Sequence, residues 1–117
     1  DQEGKMRPYK PYIPQTVGEI VDKLEWMDYH TPTFEDPSFD EMHPGRDLSV
    51  VFFELKEGLN VVRQKLGEER YRAATILADR MRALFEADPE DKTGQAREGT
   101  KLLEEMKNLL KGKTARA

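Results

Sequence analysis

The sequence predicts an all-α fold, a small antiparallel helical bundle of three long helices behind a shorter first one. Three observations predict it. Apolar residues return at spacings of three and four through four separate segments, which is the period of one helix face. Residues that start and stop helices stand at the ends of those segments. The last three segments are joined by short connections, and short connections imply antiparallel neighbours.

Residues 1–15 read as an extended, proline-rich arm. Pro8, Pro11 and Pro14 push the residues before them out of the helical region, and Tyr9, Tyr12 and Ile13 are its anchors. Thr16-Val17-Gly18-Glu19 is a capping box, in which Thr16 accepts from the Glu19 amide and Glu19 reaches back to the Thr16 amide. Val17, Ile20, Val21, Leu24 and Met27 then make one apolar face, predicting a helix from Val17 to Tyr29. Residues 29–47, YHTPTFEDPSFDEMHPGRD, form a long acidic loop. Pro32, Pro37 and Pro44 limit any helix within it to a single turn.

Leu48, Val51, Phe52, Leu55, Leu59, Val62 and Leu66 share one face of the next helix, and Val50 and Phe53 make its beginning apolar all round. A strand over Leu48 to Leu55 is the rival, since Val and Phe favour strands. The helical spacing runs on to Leu66, too far for a strand, and Gly67 stands at the stop. The segment Glu68 to Ala87 is the cleanest helix, with Tyr71, Ala74, Ala78, Met81 and Phe85 widened by Leu77 and Leu84. Asp88-Pro89-Glu90-Asp91 is a helix start signal, although Gly94 delays firm helix to about Gln95. Ala96, Gly99, Leu103, Met106 and Leu110 continue the stripe, with Leu102 and Leu109 beside it, and Gly112 ends it. The small residues Ala74, Ala78, Ala96 and Gly99 predict a close approach of the last two helices. Residues 113–117 read as a frayed tail, leaving residues 16–112 as a single bundle domain.

Composition narrows the function classes. The chain of 117 residues has no cysteine, which excludes disulfides, thiolate metal sites and cysteine nucleophiles and fits a reducing compartment. Residues 19–47 hold nine acids against Lys23 and Arg46, a net of −7, while the whole chain is only −4. Such a segment repels nucleic acid and favours a basic partner or a cation. No apolar run approaches the roughly 20 residues that cross a bilayer, and the first residues lack the apolar middle of a signal peptide. A cytoplasmic protein with no membrane association is the expectation.

Candidate chemistry concentrates in the loop, which holds both histidines of the chain. His30 and His43 with Asp36, Asp40 or Glu35 are ligand types for zinc, manganese or iron. The spacing is neither HExxH nor an EF-hand, so metal binding through His30, His43, Asp36 and Asp40 is the alternative reading and no cofactor is expected. No nucleophile motif or phosphate-binding glycine loop is present, which argues against an enzyme. Arg63, Lys65, Arg70, Arg72, Arg80 and Arg82 have acids such as Glu69 and Asp79 at helical spacing, so no nucleic-acid partner is expected either. The broad leucine face of the last helix is satisfied within the chain, as a monomer or homodimer.

The reading favoured is a non-catalytic protein-interaction module that binds a basic protein partner through the first helix and the 29–47 loop. Long structureless connections in compact domains are usually functional. This one sets aromatics, which give contact area, among acids, which steer a basic partner. The candidate contact residues are Trp26, Asp28, Tyr29, Phe34, Glu35, Asp36, Phe39, Asp40 and Glu41. Trp26 lies off the Ile20/Leu24/Met27 face and either packs beside Tyr9 and Tyr12 or is exposed. The plainer expectation for the loop is that Phe34 and Phe39 pack down and the acids face water. In size, helical class and acidity the chain is similar to nuclease-neutralising immunity proteins, which occupy a basic active site with such a surface. That likeness extends to fold class and charge alone.

Overall fold

A computed structural model describes residues 7–112. These form six helices and no strand: α1 (Val17–Tyr29), α2 (Pro37–Met42), α3 (Leu48–Val61), α4 (Arg63–Leu66), α5 (Glu68–Ala87) and α6 (Gln95–Leu110). The all-helical class is as the apolar spacing predicts. The tail 113–117 and residues 1–6 of the arm lie outside the described residues. No described helix is long and apolar enough to cross a membrane.

α1 begins where the capping box places it, with the Glu19 amide 3.0 Å from Thr16 Oγ1. The return bond differs. Glu19 Oε1 takes the amide of Gln15 and the hydroxyl of Tyr12, both at 2.8 Å, and so ties the arm to the helix instead of closing on Thr16. α5 and α6 pack most closely. A Cβ on Gly99 would stand 2.8 Å from the Phe85 ring, so glycine is what lets the two helices meet there.

Two expectations need correction. The long helix predicted from Leu48 to Leu66 is interrupted at Val62, which leaves α3 and the one-turn α4. Gly58, Asn60 and the β-branched pair Val61-Val62 are weak helix formers in succession, and Val62 and Leu66 stay buried across the interruption. Asp88 is not itself the first cap of the next helix, which begins at Gln95, where Gly94 was expected to delay it. It ends α5, and its buried carboxylate accepts from the amides of Lys92 and Thr93 at 2.7 and 3.1 Å and from Ala96 at 2.9 Å. The capping aspartate is real, but it caps α6 from across a turn. Those three bonds hold its carboxyl down at about 2.

The core combines Ile20, Leu24 and Met27 of α1 with Val51, Phe52, Leu55 and Leu59 of α3, Ala74, Ala78, Met81 and Phe85 of α5, and Leu103 and Met106 of α6. One further core residue, Phe34, comes from the connection between α1 and α2. The described part of the arm is extended. Arg7 and Tyr9 donate their amides to Met42 O and Pro44 O, both at 2.8 Å, so the arm lies along the end of the acidic connection.

Candidate functional site

The 29–47 stretch is a built structure. His30 ends α1 by donating its amide to Met27 O at 3.0 Å. The Thr31–Pro32 peptide is cis, and Phe34 takes a positive φ of 62°. Residues with a Cβ rarely adopt that conformation, and here it turns the ring inward. Phe34 is fully buried and meets two rings edge-on, with its centroid 5.7 Å from that of Phe52 and 5.1 Å from that of Phe85. Asp36 then precedes α2, and its amide donates to Asp40 Oδ2 at 2.9 Å. Asp47 caps α3 by accepting from the Val50 amide at 3.0 Å and the Ser49 hydroxyl at 2.7 Å, which lowers its carboxyl below the usual range.

Phe34 therefore leaves the set of candidate contact residues, because a ring with no exposed surface cannot meet a partner. Four others are brought together, but facing inward. Trp26, Asp36, Phe39 and Asp40 are half-buried around the guanidinium of Arg46. Arg46 Nη2 lies 3.5 Å from Asp40 Oδ1 and 4.0 Å from Asp36 Oδ2. The remaining four, Asp28, Tyr29, Glu35 and Glu41, are exposed.

The metal-ligand alternative fares differently from its sequence pattern. His30 Nδ1 is 2.8 Å from Trp26 O, its ring stacks on the Trp26 indole, and its Nε2 is 3.8 Å from Asp36. His43 packs against Phe39, with ring centres 4.8 Å apart. Among the described residues, no three donors gather as a metal ion requires. Asp36 and Asp40 already face a cation, Arg46.

A second cluster ties down the arm. Glu54 of α3 is 1% exposed and accepts from Lys23 Nζ at 2.6 Å, from the Tyr12 amide at 2.8 Å and from the Tyr9 hydroxyl. Burial pushes the Tyr9 phenol up to about 12, and the hydrogen bond to Glu54 adds to the rise. Burial lowers the Lys23 ammonium, against the opposing pull of Glu54. Pro14 is buried over Gly58, where a Cβ would stand 3.1 Å from the proline ring.

Sequence reasoning missed Arg46, Glu54 and Lys23. A signal for two of them was present: Lys23 and Arg46 are the only bases between residues 19 and 47. Both turn inward to neutralise acids, which leaves the outer acids uncompensated. Asp28 reaches Lys107 Nζ at 3.9 Å, whereas Asp22, Glu25, Glu35 and Glu41 have no such partner among the described residues. In the basic stretch of α4 and α5, Arg63 pairs with Glu68 at 2.5 Å and Arg82 with Glu86 at 2.9 Å, while the expected partner Asp79 pairs with Lys56 of α3 at 2.7 Å.

No protein family, curated protein or solved structure matches the chain.

Proposed function

We propose that this chain is a non-catalytic interaction module, and that a basic protein partner docks on the exposed acids of α1 and of the connection that follows. Tyr29 carries the reading. It is 87% exposed at the end of α1, beside Asp28 and one turn beyond Glu25. A large aromatic beside acids, of which Glu25 has no ion-pair partner among the described residues and Asp28 only Lys107 at 3.9 Å, offers contact area together with electrostatic steering. The proposed contact set is Asp22, Glu25, Asp28, Tyr29, Glu35 and Glu41, with Trp26, Asp36, Phe39 and Asp40 as the scaffold behind it.

On this reading the protein acts in the cytoplasm as a monomer or homodimer, and the absence of cysteine supports a reducing compartment. It could work as an inhibitor that covers a basic site. The test compares the unaltered protein with a Glu25→Lys, Tyr29→Ser double variant as bait for binding partners. The wild type is expected to retain a basic protein that raised salt releases, and the variant to lose it while keeping its helix content. Equal retention by both proteins would overturn the reading.

A further inference from the structure

Arg46 stands at the centre of a cluster drawn from separate stretches of the chain. Its guanidinium carbon lies 4.1 Å from the centre of the Phe39 ring, 4.4 Å from Trp26 and 5.3 Å from Tyr9. Each ring is close enough for its quadrupole to attract a cation, and several such faces around one charge make an aromatic cage. Asp40 and Asp36 supply negative charge at 3.5 and 4.0 Å. Arg46 Nε is buried and has no hydrogen-bond partner among the described residues. The guanidinium is thus held by flat faces and by charge, not by a full set of matched acceptors. Such surroundings select a class of ion, a flat and weakly hydrated cation, whichever residue carries it.

The rings come from three places: Tyr9 from the arm, Trp26 from α1 and Phe39 from α2. Arg46 itself arrives on the short link before α3, after Gly45 with a φ of 116°. With Arg46 withdrawn, two carboxylates and three rings would face one another with no cation between them. Lys23 does not replace it, since its ammonium is 2.6 Å from Glu54.

We propose that Tyr9, Trp26 and Phe39, with the carboxylates of Asp36 and Asp40, form a guanidinium-binding site that the chain fills with its own Arg46. Filling the site latches the arm to α1 and α2, and opening it presents a receptor for a guanidinium group. The proposal is independent of the docking reading, because it concerns the half-buried residues and not the exposed acids.

Trp26 is the only tryptophan, so its emission reports on the cage directly. The experiment titrates methylguanidinium chloride into wild type and Arg46→Ala, with sodium chloride at matched ionic strength as the reference. Arg46→Ala is expected to give a saturable emission change that sodium chloride does not reproduce. Arg46 occupies the site in the folded chain, and an occupancy above roughly nine-tenths raises the wild-type midpoint at least about tenfold. Adding Phe39→Leu to Arg46→Ala should weaken the response. No saturable change in Arg46→Ala, or equal midpoints in the two proteins, would overturn the proposal. If circular dichroism shows that Arg46→Ala has lost its helices, Arg46→Gln takes its place, with the same outcomes deciding.

Discussion

Lys23 Nζ lies 2.6 Å from Glu54 Oε1, which joins α1 to α3 through a carboxylate that is almost wholly buried. The same carboxylate takes the Tyr12 amide and the Tyr9 hydroxyl, so one side chain holds both a helix pair and the arm. Removing one member of a buried pair strands the other, at a cost of about 3–5 kcal/mol. Glu54→Ala should therefore unfold at markedly lower urea, and the Tyr12 amide should exchange faster than in wild type. An amide that stays protected in the variant would show that the arm has another anchor.

The alkaline limb of stability should carry a mark of Tyr9. Its phenol is raised from the ordinary 10.0 to about 12, so the folded state holds the proton more tightly than the unfolded chain. Its contribution is complete below the unfolded value and is lost as pH rises from about 10 to about 12. Lys23, lowered by burial, acts in the opposite direction and tempers the loss. Melting wild type and Tyr9→Phe from pH 8 to 11, as a test range of roughly three units, should show a smaller alkaline decline in the variant.

Phe34→Ala should cost about 3–5 kcal/mol, as large-to-small changes at buried aromatics do. Urea denaturation measures it. A loss below roughly 1 kcal/mol, the usual size of a surface change, would mean that the ring is not part of the core.

Gly99→Ala tests two opposed effects. Alanine is the better helix former by about 1 kcal/mol. Its Cβ would meet the Phe85 ring at 2.8 Å, and Phe85 is itself fully buried, so the ring has little room to retreat. Overpacking of that kind costs about 1–3 kcal/mol, and a net destabilisation is expected. Adding Phe85→Leu should recover part of the loss, and the double-mutant cycle should show coupling.

Asp88 should shape the acid limb. Its folded carboxyl is lowered to about 2 by the bonds from Ala96, Lys92 and Thr93. The contribution is present above the ordinary value of 3.8 and disappears as pH falls through about 2. In Asp88→Asn, stability should be lower at neutral pH and should depend less on pH below 4, a limit of about the ordinary carboxyl value.

The helices were legible wherever local signals agreed. α1 and α5 have the predicted bounds because apolar period, caps and charge all point the same way. Val62 was not, because a helix that pauses and resumes keeps its spacing while its backbone bends. The candidate site was legible as a place and much less as a set of directions. Periodicity does not apply in a proline-rich connection, so the sequence left Phe34 both as a contact residue and as a ring that packs down, and the fold takes the second course while Tyr29 stays in water. Arg46 was hidden for a related reason. Its partners Tyr9, Trp26 and Phe39 are brought to it only by the folded chain.

Seating Phe34 in the core divides the connection between α1 and α3 into two shorter spans. Fixing that midpoint adds a second loop closure, whose entropic cost is offset by burial of the Phe34 ring. The connection consequently belongs to the cooperative unit that folds, and extra residues inserted on either side of Phe34 would pull on the core. In the exposed turn that follows α5, Asp88 holds the amides of Lys92 and Thr93 but no side chain of Pro89, Glu90 or Asp91 is buried, which makes those three positions the more tolerant place to graft a peptide tag or a reporter.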